Sequence, residues 1–281
     1  DMLMSVNLPP SVGTTSMNVN FGKLNNKGLD LSLSAQIIRK KDWFWSMTLT
    51  GGHVMDQIRK ISQGLKNDID NPNDSSKPKI LFVEGGSQYD IYAMRSAGID
   101  PATGKEIFIK KNGEYTFKYD ESERVAVGNT NPVLQGAWMN TVRYKGFSIS
   151  IATSYTFGSD YYNSTLKNKV ENIDLEYNVD RRVFTDRWKQ PGDHTRFLGI
   201  GTSSSSYQYS ERFVEKRNEL YISSIQVMYD FTPKAITRIG LRKLAIGFGL
   251  SDIAHISTVK FERGTDYPYC RGINLIFRPT F

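Results

Sequence analysis

The sequence has few of the residues that catalysis and metal binding require. Its one cysteine, Cys270, has no partner within the chain, which excludes an intrachain disulfide. The three histidines lie far apart, and no spacing of cysteine and histidine resembles a zinc site. Phosphate-binding loops and dinucleotide fingerprints are also absent. We therefore expect no metal, no cofactor and no enzymatic activity.

Long apolar stretches are absent as well. No run of 18 apolar residues occurs, which excludes a transmembrane helix. Apolar residues make up 39% of the chain, below the roughly 45–50% of ordinary globular domains, while aromatic residues reach 12%. A chain of this composition that enters a membrane must do so as a closed β-barrel. No signal peptide precedes Asp1, and the missing initiator methionine suggests a mature or truncated product.

Charge gives no indication of nucleic-acid binding. The net charge is +7, but lysine and arginine are spread along the chain and belong to no known nucleic-acid module. Five aspartates share one region, and paired carboxylates can hydrolyse glycosides. We expect these aspartates instead to be solvated or paired with nearby arginines, such as Arg182, Arg187 and Arg196.

The dominant pattern is an alternation of apolar and small polar residues, which predicts β-strands with two different faces. In residues 147–157, Phe147, Ile149 and Ile151 share one face, while serine, threonine and alanine occupy the other. Residues 29–37, 43–49, 221–229, 244–250 and 273–281 repeat the pattern. Segments of about ten residues with aromatic residues near their ends are typical of strands that cross a bilayer.

The connections between strands alternate in length. Residues 40–42 and 144–146 are tight turns, whereas the segments after Val54, Gly158 and Ser251 are long. Short turns on one side and long loops on the other are typical of outer-membrane barrels. Within the long segments, Asn112-Gly113 predicts a two-residue hairpin turn. The spacing of Leu166, Val170 and Ile173 predicts a short helix within residues 161–177.

Several distinctive sequence blocks follow one another along the chain from about Asn18 onward, among them a Gly-aliphatic-Asp-Pro-x-Thr-Gly segment. The blocks lie at residues 20–30, 97–104, 127–132, 144–147, 178–182, 186–193, 210–214 and 262–268, and an alternating strand ends at Phe281. Single blocks are weak signals, but their order is specific. Taken in this order, they resemble the C-terminal part of SusC/RagA-type TonB-linked transporters.

This resemblance implies an all-β fold. The chain would supply about seven or eight antiparallel strands of a barrel of about 22 strands. Residues 1–281 would form one C-terminal segment of a single barrel domain, with the plug domain and the N-terminal strands outside this chain. Residues 252–271, 158–217 and roughly 55–134 would then be extracellular, and 40–42, 144–146 and 231–242 periplasmic. The location would be the outer membrane of a Gram-negative bacterium.

The resemblance also implies partners and cargo. The partners would be the remainder of the transporter, a SusD/RagB-like surface lipoprotein, a TonB-type energy coupler acting through the plug, and the lipid bilayer. The cargo would be oligosaccharide or peptide. A passive porin-like barrel and a soluble β-sandwich carbohydrate-binding module remain alternatives.

Candidate site residues follow from this topology. Aromatic side chains in extracellular loops can stack on sugars or contact peptides, and arginines can bind carboxylates. The loop candidates for substrate binding are Tyr161, Tyr162, Arg181, Arg182, Trp188, Tyr267 and Tyr269. Phe277 and Phe281 are expected to form the barrel-assembly signal of the terminal strand.

Overall fold

The computed structural model describes residues 2–7, 16–61, 82–173, 176, 178–201, 208–232, 240–260 and 271–281. Most of these residues are in β-strands. Eight long or terminal strands are β1 (Met2–Asn7), β2 (Ser16–Arg39), β3 (Trp43–Ile61), β9 (Leu134–Tyr144), β10 (Phe147–Tyr162), β11 (Val214–Asp230), β12 (Lys243–Ser257) and β13 (Gly272–Thr280). They form one sheet in the order β1-β2-β3-β9-β10-β11-β12-β13. Among the described residues the order ends at β1 and β13, so this sheet is open rather than closed.

Five shorter strands lie between β3 and β9. They are β4 (Asp90–Ala93), β5 (Arg95–Ile99), β6 (Glu106–Ile109), β7 (Tyr115–Thr116) and β8 (Val125–Asn129). The first pairs with β8, and β5, β6 and β7 form a three-stranded sheet. Two short helices follow β10, namely α1 (Ser164–Val170) and α2 (Arg182–Thr185). The predicted all-β fold with a short loop helix is therefore confirmed.

The chain divides into two compact units. Residues 1–27, 54–131 and 160–215 form the first, which we call the loop unit. Residues 28–53, 132–159 and 216–281 form the second, which we call the strand unit. The core of the loop unit contains Leu166, Val170, Phe197 and Phe213, with Tyr162 packed against it.

One face of the strand unit exposes apolar side chains, as the alternation predicts. Leu29 is 75% exposed and Leu275 is 81% exposed. Register places Ile246 opposite Phe277, and Phe248 opposite Leu275, so exposed apolar residues adjoin across strands. An apolar face this extensive marks an interaction surface, because soluble monomers rarely expose one.

A row of aromatic side chains lies across neighbouring strands of the strand unit, at the end that carries the turns 40–42 and 144–146. Trp43 and Tyr144 are register partners with ring centroids 4.4 Å apart, and Phe147 pairs with Tyr144 on the next strand. The ring of Phe147 lies 4.5 Å from that of Tyr229, which in turn lies 4.9 Å from Phe231. Amphipathic aromatic rings concentrated at one level across neighbouring strands are typical of a membrane interface.

Several predicted boundaries are wrong because the strands are longer than the apolar alternation. Strand β3 continues to Ile61, β10 to Tyr162 and β12 to Ser257, and β11 already begins at Val214. The long connections expected after Val54, Gly158 and Ser251 are therefore shorter. Polar residues continue a strand wherever backbone pairing persists, as between Glu219 and Ser257.

Two local predictions are confirmed with corrections. A hairpin forms at Asn112-Gly113, but its turn spans three residues, because Lys110 N donates to Glu114 O and Gly113 adopts φ +90°. This is the longer hairpin type with glycine in the left-handed region. The predicted helix ends at Val170, so Ile173 lies beyond it.

Candidate functional site

Tyr161 and Tyr162 end strand β10 and have different surroundings. Tyr162 belongs to the apolar core of the loop unit, with its ring centroid 5.0 Å from that of Tyr209 and 6.2 Å from that of Phe213. Burial raises the pKa of the Tyr162 hydroxyl. Tyr161 is half-buried. The ring of Tyr162 is therefore committed to packing against the core, whereas Tyr161 is not among the side chains that form this core.

Trp188 joins two of the sequence blocks that carry the family resemblance. Its indole Nε1 donates to Pro101 O at 2.9 Å, and a Cβ added at Gly104 would lie 2.5 Å from the indole ring. Gly192 N also donates to Pro101 O, at 2.9 Å. Segments 97–104 and 186–193 are thus packed together, with Trp188 half-buried between them. Glycine is needed at 104 because no side chain fits beneath the indole ring and because its φ is +68°.

The predicted arginines also differ. Arg181 is exposed, whereas Arg182 donates to Asp180 through Nε at 2.9 Å and through a terminal nitrogen at 2.6 Å. The hydrogen bond from Arg182 holds the pKa of Asp180 well below its usual range. This forked pair confirms the expected pairing of aspartate and arginine at Asp180. It leaves Arg181 as the more accessible cation for an anionic ligand.

Among the residues that the structure describes, Arg187 pairs with no aspartate and contacts backbone carbonyls instead. It is buried, and its guanidinium donates to the carbonyls of Leu198 at 2.8 Å, Gly199 at 2.7 Å and Val170 at 3.2 Å. A planar guanidinium with five donors can satisfy several otherwise unpaired carbonyls at once. Arg187 is therefore a structural residue of the loop unit.

Arg212 is the centre of a buried ionic cluster that the sequence analysis did not identify. Its terminal nitrogens donate to Glu106 at 2.7 Å and to Glu171 at 2.8 Å. Ser210 Oγ also donates to Glu106. Burial alone would lower the pKa of Arg212, but hydrogen bonds and the charges of the two glutamates outweigh it and raise the pKa. The cluster links β6, the end of α1 and the segment before β11.

Lys167 lies on α1 within the same unit, buried and with its ammonium donating to Gln208 O at 2.5 Å. Burial lowers the pKa of Lys167 to about 8, although the charges of Glu171 and Glu106 oppose the shift. An unfolded lysine titrates near 10.4, so the unfolded state binds more protons between about pH 8 and 10. The contribution of Lys167 to the free energy of unfolding of the loop unit therefore rises with pH across that window and is constant below it.

We expect the unfolding midpoint of the wild-type loop unit to rise from pH 8 to pH 10 relative to that of Lys167→Met, because only the wild type contains this lysine. The ¹⁹F signal of fluorotryptophan at Trp188 reports this unit, because the other three tryptophans lie in the strand unit. Lys118→Met, at an exposed lysine, is the matched control and should keep the rise. An equal rise in Lys167→Met would contradict the assignment.

The remaining predicted residues lie elsewhere. Phe277 is on the exposed apolar face of β13, and Phe281 is 81% exposed. Tyr267 and Tyr269 fall outside the described residues. Tyr161, Arg181 and Trp188 all belong to the loop unit and retain exposed surface.

Two negative findings apply to the described part of the chain. No group of three or more metal-ligating side chains is assembled there. None of the helices described is both long and apolar enough to span a membrane.

Curated relatives of this chain are named as TonB-dependent receptors. The chain is 23% identical over 298 residues to the TonB-dependent receptor P39 of Formosa agariphila, an alignment that covers 90% of this chain and 28% of the relative. It is 24% identical to the TonB-dependent receptor SusC of Bacteroides thetaiotaomicron, covering 82% of this chain and 23% of SusC. No family model matches the chain.

Solved structures show a similar fold. The structure of the RagAB peptide transporter superposes with a TM-score of 0.74 at 20% identity, covering 92% of this chain and 28% of that one. The RagAB peptide importer in its closed-closed state gives a TM-score of 0.72. The chain thus spans about a quarter of the length of the relatives it matches. It is a relative of the SusC/RagA-type TonB-dependent receptors and resembles part of their β-barrel.

Proposed function

We propose that this chain is part of a SusC-like TonB-dependent transporter that imports large nutrients across the outer membrane. The observation that carries the proposal is the exposed apolar face of the strand unit, continuous across paired strands and bounded by an aromatic row. Such a face matches the lipid-facing surface of a membrane barrel. Residues 1–281 would form one C-terminal segment of a single barrel domain, and the remainder of the transporter would complete it.

The loop unit would carry recognition on the extracellular side. Its candidates are Tyr161, Arg181 and Trp188, with Tyr267 and Tyr269 as further candidates from the sequence. The cargo would be oligosaccharide or peptide, held beneath a SusD-like surface lipoprotein and moved by energy that a TonB-type coupler delivers through a plug. Phe277 and Phe281 would serve barrel assembly. Since the relatives are named as receptors and transporters, we propose binding and gating rather than catalysis.

Energy-dependent uptake is the test of this proposal. The experiment uses the complete native protein with an affinity tag in an extracellular loop, extracted from the outer membrane in detergent and identified with its partners by mass spectrometry. We expect a plug-bearing polypeptide and a lipoprotein to copurify. Uptake of labelled oligosaccharides and peptides should stop when a proton ionophore removes the energy source.

The alternatives predict different results. Uptake that continues with the ionophore present would establish a passive porin-like barrel. A protein that fractionates without detergent and binds glycans would establish a soluble carbohydrate-binding module. Both outcomes overturn the transporter proposal.

A further inference from the structure

The loop unit contains a small sheet with an open strand edge. Strand β7 lies at the end of the order β5-β6-β7, so one of its sides has no neighbouring strand among the described residues. Lys110 N donates to Glu114 O across the hairpin, and alternate residues of an antiparallel strand direct their backbone groups to opposite sides. Tyr115 therefore directs its N–H and C=O to the open side. An open edge of this kind can add an extended peptide as a further strand.

An apolar cavity adjoins this edge. It measures about 420 Å³ and is lined by Ala97, Ile107, Tyr115, Thr116 and Phe117. Tyr115 is 70% exposed and Phe117 is 56% exposed, although aromatic side chains of this size usually contribute to a core. Ala97 lies at an irregularity between β5 and β6, where the register shifts between Ser96 and Gly98. A β-bulge at this position re-aims the side chain of the extra residue.

The hairpin is held in place before any ligand arrives. Arg95 donates to Lys110 O at 2.7 Å, Lys111 N donates to Glu123 at 2.7 Å, and Phe108 on β6 is buried. These contacts fix the backbone beneath the exposed aromatic pair. A preformed site loses less entropy on binding than one that must order itself.

The charges around the cavity favour an acidic ligand. Glu114, next to Tyr115, is neutralised by Lys110 at 3.0 Å. Lys105, two residues before Ile107, and Lys118, which follows Phe117, are both exposed. Neither lysine forms an ion pair within the described part of the chain.

We propose that this hairpin edge binds a short, extended, acidic peptide. The peptide backbone pairs with the open side of β7, one apolar side chain of the peptide enters the cavity, and its carboxylates meet Lys105 and Lys118. The ligand is a free peptide rather than a segment of another folded protein, because a two-residue edge and one small cavity are far below the area of a stable protein interface. A glycan has no backbone amides to pair with the edge.

The inference rests on the proposed function in one respect: the bound peptide would be cargo of the transporter. Binding is measured on the purified transporter complex in detergent and is independent of uptake. The probe is a fluorescent, end-blocked eight-residue peptide of alternating leucine and glutamate. We expect saturable binding that weakens about tenfold or more in Phe117→Ala, since a few well-packed anchor side chains carry most of the binding energy of an interface.

Phe184→Ala is the matched control, because Phe184 is equally exposed at 56% and lies in the same unit. Its binding should equal that of the wild type. Lys105→Glu combined with Lys118→Glu should weaken binding of the acidic peptide and strengthen binding of a peptide with lysine in place of glutamate. Methylation of alternate peptide amides should abolish binding, since it blocks strand pairing.

The inference is overturned by absent saturable binding in the wild type, by equal affinity in Phe117→Ala and Phe184→Ala, or by unchanged binding of the methylated peptide. Energy-dependent uptake together with any of these results would leave the transport proposal intact. Peptide binding without energy-dependent uptake would contradict the transport proposal alone. Fluorotryptophan at Trp188 verifies that each variant keeps the loop unit folded.

Discussion

Arg212→Met is expected to destabilise the loop unit by about 3–5 kcal/mol, the usual cost of removing one partner from a buried ion pair. Arg212 is the shared partner of Glu106 and Glu171, and all three side chains are almost fully buried. Methionine fills much of the same space but leaves two carboxylates without their cation. A lysine at this position would restore the charge but not the forked geometry, so Arg212→Lys should recover only part of the loss.

The ¹⁹F signal of fluorotryptophan at Trp188, followed through thermal unfolding, measures this loss. Arg196→Met is the matched control, because Arg196 forms a more exposed pair with Glu215 at 2.7 Å. Exposed pairs contribute about 0–1 kcal/mol, so this variant should remain close to the wild type. Adding Glu106→Gln and Glu171→Gln to Arg212→Met should recover stability, since the uncompensated charges are then gone. Equal stability of Arg212→Met and Arg196→Met would show that the cluster is not a determinant of the fold.

The strands could be predicted from sequence because their signal is local. Residues 147–157 alternate at a period of two, and register confirms that Phe147, Ile149 and Phe157 share one face of β10. Successive side chains of a barrel strand face lipid and water in turn, so consecutive residues alternate between apolar and polar types. Strand ends were harder to predict because polar residues at the end of β3 and at the start of β11 remain paired.

The ionic cluster could not be predicted from sequence, because its members are distant in the chain. Glu106 and Arg212 are 106 residues apart, and Glu171 and Arg212 are 41 apart. Nothing in the neighbourhood of any one of them indicates burial. The sequence analysis predicted Trp188 as a substrate-binding candidate, but its indole contact with Gly104 could not be predicted, because it depends on how two remote segments meet.

Gly136→Ala is expected to prevent assembly of the strand unit. Gly136 pairs with Gly51 on one side and with Tyr155 on the other. The Tyr155 hydroxyl reaches over this site and donates to Thr50 O at 2.7 Å. A Cβ at position 136 would lie 1.9 Å from Thr50 O and 2.7 Å from the Tyr155 hydroxyl. One of these atoms belongs to the backbone of the paired strand, so the clash cannot be relieved by rotating a side chain.

The expected cost exceeds the usual penalty for overpacking, which is about 1–3 kcal/mol. The folded, membrane-inserted fraction, measured by heat-modifiable mobility on gels, should fall to less than about a tenth of the wild-type amount. Gly249→Ala is the matched control in the same unit. A Cβ at Gly249 meets its nearest neighbour, the Cβ of Asn274, at 3.7 Å, which is ordinary contact.

Two further variants separate steric from polar effects at Gly136. Tyr155→Phe removes the hydroxyl but leaves Thr50 O in place, so it should cost about 1 kcal/mol as one lost hydrogen bond. Combined with Gly136→Ala it should fail to restore assembly, because the closer clash is with the backbone oxygen. If Tyr155→Phe restores assembly of Gly136→Ala, the obstruction lies at the tyrosine. Normal assembly of Gly136→Ala alone would contradict the close pairing of β3 and β9. The position therefore tests whether these two strands meet as the register requires.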